Sequence, residues 1–401
     1  MDYAALDLQT IAAIIFILIM SLFLFLKRKE LALEKIIFPI FYIIMYRTKI
    51  GIAFMDRMAK KYKNVIQIIA YIGIIVGFIG MGVIVFFLVK NLIQLFLIPT
   101  AKPAIGLVLP FKVKGTFFVP FFYWLICIFI IALVHEFSHG VVARTYGIKV
   151  KSSGLAFMAI LLPIIPAAFV EPDEKKLAKR PKKEQLAVFA AGPFSNILLA
   201  GLVVLISWAV FTPVMNNMIE NNGIIVAGLI TGETKYPAEL AGIKPGEAII
   251  SVDGQEIKTG ENFIKILNNK KPGENIIIIT NVTTYNLVLA SNPSDAAKPY
   301  LGVYIAENTK IKPSFEQRYS KYAAPIITWL YGLLYWLFAL SLGIGLFNLA
   351  PLGPVDGGRM LQSTLEKIFK ENKKKAYTYW KWISLVFLAL VLANLAFAFI
   401  R

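Results

Sequence analysis

The chain has 401 residues, 58% of them hydrophobic, with a mean hydropathy of +0.68. Soluble domains carry roughly 45–50% apolar residues, so the composition excludes an ordinary soluble enzyme and points to a polytopic membrane protein. The net charge is +18, but the basic residues gather in short clusters beside apolar runs, the pattern of loops kept on the cytoplasmic side, so nucleic acid is excluded as a partner.

The N-terminus has Asp2 and Asp7 and no basic residue ahead of the first apolar run. It reads as an anchor that starts outside rather than a cleavable signal peptide. Residues 11–26 predict a spanning helix, closed on the inside by Lys27-Arg28-Lys29. Residues 36–45 are too short to span and contain Pro39, so an interfacial segment, or one packed on the bundle, is expected there. Arg57, Lys60, Lys61 and Lys63 hold the chain on the same side. Residues 66–98 cross outward and exceed what a span needs; Lys90, Asn91 and Gln94 suggest that the end emerges from the lipid. Residues 111–115 are expected outside.

Residues 117–142 return inward and carry His135-Glu136-Phe137-Ser138-His139, which holds both histidines of the chain. On a helix, residues i and i+4 share one face, so both imidazoles can reach one metal ion. Zinc suits them, because a catalytic zinc takes three protein ligands and leaves the fourth position for water. Glu136 is placed to take a proton from that water. The bland alternative is a chance match on a core helix; against it, such polar groups in an apolar segment are costly unless paired or metal-bound. Cys127, the single cysteine, can form no internal disulfide and is expected to pack. Arg144, Lys149 and Lys151 follow, which sets the metal within the membrane towards the cytoplasmic face.

Residues 147–157 alternate enough to form a hairpin. Residues 155–170 are apolar but interrupted by Pro163 and Pro166, which favours a re-entrant segment sheltered by protein, with a kinked helix as the alternative. Residues 171–184, rich in lysine, predict a cytoplasmic loop. Residues 185–211 cross outward and contain Gly192-Pro193-Phe194-Ser195-Asn196, either a site of close helix approach or a plain kink.

Residues 221–308 have the composition of a soluble domain. Within them a helical turn ends at Gly242, Pro245-Gly246 makes a turn, and a strand runs into an Asp253-Gly254 hairpin. This stretch resembles a PDZ domain of the bacterial, protease-associated kind, and runs 275–280 and 285–290 fit its later strands. The resemblance implies binding of an extended peptide at a sheet edge, or else a module that only blocks access. Because the preceding helix crosses outward, the domain is expected outside the cytoplasm.

Residues 321–349 return inward and end in Asn348-Leu349-Ala350-Pro351-Leu352-Gly353-Pro354-Val355-Asp356-Gly357-Gly358-Arg359. This run cannot continue a helix, so the backbone must break at the depth of the histidines. Asp356 is then a carboxylate at membrane depth, economically a metal ligand, with capping of the following helix as the alternative. Lys373, Lys374 and Lys375 mark the inside again, and residues 380–400 form the last span, flanked by Tyr377, Tyr379, Trp380 and Trp382.

Taken in this order, the motifs across residues 117–358 resemble the site-2 proteases, the intramembrane zinc metalloproteases. The resemblance implies Zn2+ held by His135, His139 and Asp356, Glu136 as the catalytic glutamate, and Asn348 and Asn196 as substrate-binding residues. Val355 stands where the family usually has Leu. Residues 147–157 would match the membrane-entering hairpin whose edge pairs with a substrate strand. The expected fold is a polytopic α-helical membrane protein of about six transmembrane helices, with a re-entrant β-hairpin near the active site and one extracytoplasmic PDZ domain. It would divide into an N-terminal anchor and interfacial segment (1–65), a first half of the membrane core with the zinc motif (66–220), the PDZ domain (221–308), and a second half with the third ligand (309–401).

The expected function is cleavage of transmembrane segments of membrane-anchored proteins. The partners are those substrates, the lipid bilayer and a peptide ligand of the PDZ domain. Two other readings stand beside it. One is a non-catalytic, membrane-anchored PDZ binding protein; the other is a membrane zinc peptidase with a cytosolic active site and a further Glu ligand from residues 171–184.

Overall fold

The computed structural model describes residues 8–37, 41–98, 101–110, 115–160, 162–230, 235–293, 295–370 and 372–400. They divide into two compact units, Met1–Ser207 with Leu330–Arg401, and Trp208–Trp329. In chain order α1 (Leu8–Leu26) leads to β1 (Leu31–Ile37), β2 (Phe41–Thr48), the short α2 (Ile52–Lys61) and the long α3 (Lys63–Leu97). The short strands β3 (Leu107–Leu109) and β4 (Thr116–Phe118) pair in parallel ahead of α4 (Phe121–Thr145), β5 (Val150–Ile160), β6 (Leu162–Pro172), α5 (Glu174–Ala178) and α6 (Lys182–Ile206). A wider helical turn at Ser207–Phe211 joins α6 to α7 (Thr212–Met218).

The second unit then contains β7 (Ile219–Leu229), α8 (Pro237–Ala241), β8 (Ala248–Val252), β9 (Gln255–Glu256), α9 (Gly260–Asn268), β10 (Asn275–Thr280), β11 (Thr284–Val288), β12 (Ala290–Asn292), β13 (Asp295–Tyr300), β14 (Val303–Ile311) and α10 (Pro313–Arg318). The chain ends with α11 (Ala323–Asn348), α12 (Asp356–Ile368) and α13 (Lys373–Ile400).

Among the described residues six helices are long and apolar enough to cross a membrane: α1, α3, α4, the α6–α7 stack, α11 and α13. At 35 residues, α3 is about 50 Å long, well beyond a ~30 Å hydrocarbon core. Inside the first unit, Trp124, Cys127 and Ile131 of α4 pack with Val203 of α6, Leu337 and Leu340 of α11 and Ala13 of α1. Cys127 is wholly buried, in keeping with the packing role expected of it.

Two segments take a more definite form than their sequence alone implies. Residues 36–45 lie mostly in strands: β1 and β2 form a hairpin pairing Leu31 with Tyr46 and Leu33 with Ile44, while Pro39 lies outside the described residues. Residues 147–157 hold most of one strand rather than a whole hairpin, and residues 155–170 complete it: β5 and β6 pair with Ser153 opposite Val170 and Phe157 opposite Pro166. Prolines lack the N–H that an inner strand must donate, so a strand carrying Pro163 and Pro166 fits only at an edge. β6 is that edge in the four-stranded order β1-β2-β5-β6, and the register slips beside Pro163. Of the outer loop expected at residues 111–115, 111–114 lie outside the described residues.

The second unit is an α+β module with strand order β11-β10-β8-β7-β14 and β9 paired to β8. Its core joins Ile224, Val226, Ile249, Val252, Phe263, Ile276 and Ile278. The turns fall where the sequence predicts them: α8 stops at Gly242 in the left-handed region, φ 82°, and Asp253-Gly254 turns the chain from β8 into β9. The unit is wider than residues 221–308, because Met218, Phe315 and Ala324 form a buried cluster beyond both ends of that range.

Helix α3 carries a stripe that sequence reading passed over. Gly73, Gly77 and Gly80 recur at i, i+4 and i+7 on one face, the spacing that lets membrane helices approach closely. A Cβ at Gly73 would meet the Phe194 ring at 2.9 Å, one at Gly77 would meet Met360 Cε at 2.8 Å, and one at Gly80 would run into Leu349. Those three neighbours belong to the α6 turn, to α12 and to the break after α11. Two residues further on, Gly82 has nothing within 4 Å of its Cβ position. Gly80→Leu should therefore destabilise the purified protein by about 1–3 kcal/mol, the usual cost of overpacking, whereas Gly82→Leu should be near neutral; thermal unfolding in detergent compares the two.

Candidate active site

The last turns of α4 bring His135 and His139 onto one face, each 9% exposed, with ring centroids 4.8 Å apart and Nε2 atoms 3.2 Å apart. Asp356 arrives from 221 residues downstream, with its Oδ2 3.1 Å from His135 Nε2 and 3.3 Å from His139 Nε2. It is the first residue of α12, where the N-cap is Val355 and no side chain caps the helix. The carboxylate faces the imidazoles instead of capping.

The three donor atoms all lie within 4.8 Å of one another. Two imidazole nitrogens and one carboxylate oxygen make a zinc donor set with one position left for water. The local sequence explains how Asp356 gets there. α11 stops at Asn348, short turns such as Leu352 N–H to Ala350 O (2.7 Å) follow, and α12 begins so close to them that a Cβ at Gly357 or Gly358 would strike the carbonyls of Leu349 or Leu352.

Helix α6 closes the back of the site. A Cβ at Gly192 would fall on the Nε2 atoms of both histidines, so only glycine leaves this space open. His139 Nδ1 donates to the Val188 carbonyl at 2.7 Å. Asn196 is wholly buried, with its amide 3.1 Å from His135 Nδ1. The side chain of Asn196, expected at substrate, thus lies against the histidine ring. Asn348, the other residue expected at substrate, is the last residue of α11 and is half-buried.

Glu136 turns towards the sheet, where its Oε2 accepts the Val170 N–H of β6 at 2.9 Å. Helix α4 is held in place by α2, through the Phe54 and Phe137 rings 5.5 Å apart and an ion pair of Arg144 with Asp56. Sequence reasoning missed the Val188 carbonyl and the Val170 N–H, since backbone groups leave no residue signature. The glycine stripe of α3 was legible from spacing.

The carboxylates of residues 171–184 are engaged elsewhere. Glu171 accepts from Ser152 Oγ at 2.6 Å, Glu174 pairs with Arg359 at 2.7 Å, and Glu184 lies 3.8 Å from Arg180. None joins the histidines, so the ligand that a cytosolic active site would need does not come from this loop.

Apolar spanning helices around a His-His-Asp cluster define a multi-pass membrane metalloprotein. A family model for peptidase family M50 matches residues 123–392, and the chain belongs to that family, the site-2 protease family of zinc metalloproteases. A protein of Methanocaldococcus jannaschii, described as uncharacterized, is 29% identical over 337 residues, which is 82% of this chain and 79% of its own. Two proteins provisionally named zinc metalloproteases are each 26% identical. One, from Nostoc sp., is covered over 46% of this chain and 57% of its own; the other, from Staphylococcus aureus, over 56% and 61%. Among solved structures, the PDZ domain of an SdrC-like protein from Listeria monocytogenes is 20% identical, covering 21% of this chain and 88% of that domain, with a TM-score of 0.19.

The enzyme is thus a membrane zinc metalloprotease, and the donor set and the clearance at Gly192 fit its metal. Gly192→Ala should weaken zinc affinity about 10–100-fold, the usual cost of distorting the support of a ligand, as read by competition with a chelator. Gly201, on the same helix with nothing within 4 Å of its Cβ position, is the control: Gly201→Ala should keep wild-type zinc affinity in the same competition.

Proposed function

We propose that this enzyme hydrolyses peptide bonds of membrane-anchored proteins within the bilayer, at a zinc site made by His135, His139 and Asp356, with Glu136 as general base. The observation that carries this reading is the meeting of those three donor atoms, within 4.8 Å, at the ends of apolar helices. His135 and His139 lie about 9–15 Å along the axis from the end of α4, at 1.5 Å per residue, and Arg144 in its last turn marks the cytoplasmic side by the charge pattern. By the same pattern the second unit lies outside the cytoplasm.

Zinc bound there would acidify a water and polarise the scissile carbonyl. Glu136 would take a proton from that water and return it to the leaving amine. The Val170 N–H orients its carboxylate, so the base is tied to the backbone of β6. A transmembrane helix has its carbonyls occupied by internal hydrogen bonds and must unwind before it can be cut. The unwound strand finds its partner along the proline-free stretch 167–171 of β6 rather than along residues 147–157, because β5 is flanked by β2 and β6. A strand laid on β6 passes the residue that holds Glu136.

The second unit is read as a PDZ domain. Its edge strand β14 faces α9 across a groove lined by Gly260, Ile264, Ile305 and Glu307, and an extended peptide from the outer part of a substrate would add to that edge. Asn348, at the end of α11, is kept as a contact for substrate backbone.

The test is purified protein in liposomes with a membrane-anchored substrate carrying helix-breaking residues. Glu136→Gln should retain zinc and lose cleavage at least about 100-fold, the lower end of what a general base contributes. Equal cleavage by Glu136→Gln and wild type would overturn the mechanism. A wild type that binds the substrate's outer peptide but leaves the substrate intact would favour the binding-protein reading.

A further inference from the structure

A histidine gives one ring nitrogen to a metal only when its proton sits on the other. For His139 the structure fixes this. Its Nδ1 lies 2.7 Å from the Val188 carbonyl oxygen, and a carbonyl can only accept, so Nδ1 carries the proton and Nε2 keeps its lone pair. At His135 the group against Nδ1 is the side-chain amide of Asn196, 3.1 Å away. That amide is wholly buried, and its residue is tied to α11 by Ser341 Oγ, which donates to the Asn196 main-chain carbonyl at 2.8 Å.

The two ends of the amide have opposite consequences for the ring. With Nδ2 on the histidine, Nδ1 must accept, the proton sits on Nε2, and Nε2 is lost as a ligand. In that arrangement Oδ1 is also buried with no hydrogen-bond partner. With Oδ1 on the histidine, Nδ1–H is bound and Nε2 is free for metal. Rotation about one side-chain bond exchanges the two ends.

We propose that Asn196 is the positioning residue of His135, its Oδ1 accepting the Nδ1–H and so selecting the tautomer in which Nε2 binds zinc. This rests on the ligand set put forward above. It also explains a stripe on α6. Val188, Gly192 and Asn196 recur every four residues, matching the four-residue spacing of His139 and His135 on α4. The first orients one ring, the second clears space for both Nε2 atoms, and the third orients the other ring.

Full-length protein purified in detergent, stripped of metal and titrated with Zn2+ against a chromophoric chelator reads the affinity directly. Asn196→Leu keeps the bulk and removes the acceptor; it should bind Zn2+ about 10–100-fold more weakly than wild type. Asn196→Asp restores an acceptor and should stay close to wild type. Asn196→Ala serves in place of the leucine variant should that one not fold. Wild-type affinity in the leucine or alanine variant overturns the proposal, and so does equal weakening by the apolar and aspartate variants, since aspartate keeps both the volume of asparagine and an acceptor oxygen. A wild type without stoichiometric Zn2+, or His135→Ala binding as tightly as wild type, instead overturns the ligand set, and the proposal with it.

Discussion

The structure depends on an electrostatic requirement inside an apolar bundle. Asp356 Oδ2 and two imidazole Nε2 atoms meet within 3.1–3.3 Å, the imidazoles on the apolar α4 and the carboxylate at the start of the amphipathic α12. A charged side chain among apolar membrane segments is costly unless it is paired or metal-bound, and Glu136, next in the chain to His135, adds a second carboxylate. Two such groups on one small site call for a compensating cation. A divalent metal held by the cluster balances both, which turns a liability of the bundle into a reason for its helices to converge.

The convergence is made possible by missing side chains rather than by strong contacts. Gly73, Gly77 and Gly80 let α3 press against Phe194, Met360 and Leu349, each close in the chain to a residue of the site. Gly192 leaves the volume in which the two imidazoles meet. Gly357 and Gly358 let α12 start directly beneath the carbonyls that end α11. In lipid, where helix association draws little on the hydrophobic effect, close approach and dispersion contacts do this work. Around these contacts, backbone and amide groups of α6 set the direction of each ring.

The four-stranded sheet connects this centre to the proposed substrate path. β6 holds Glu136 through its Val170 N–H, and its prolines leave it fit only for an edge. The proposed base is thereby fixed by the same strand that an unwound substrate would extend. The N-terminal hairpin β1–β2 occupies the far edge of β5 through pairs such as Thr48 with Ser153 and Tyr46 with Leu155, and of the two edge strands β1 and β6 it is β6 that packs beside α4.

Much of this was legible in the sequence. The i, i+4 histidines, the glutamate between them, the apolar runs, the turn residues of the second unit and the forced break before Asp356 all follow from local rules of spacing and backbone chemistry, and the structure places each where those rules put it. Strands β1, β2 and β6 were not legible, because short apolar runs carrying prolines read equally as interfacial, re-entrant or kinked segments until a partner strand supplies their hydrogen bonds. The contact of Asn196 with His135 was not legible either, because the sequence neighbours of Asn196 say nothing of that histidine. The sequence by itself determined which residues are the candidates to bind metal and activate water, since that is a matter of side-chain chemistry and helical period. Only the tertiary structure decided that the Val188 carbonyl, the Val170 N–H and the Asn196 amide complete the site, because the chain brings those groups together through contacts between segments that no local pattern records.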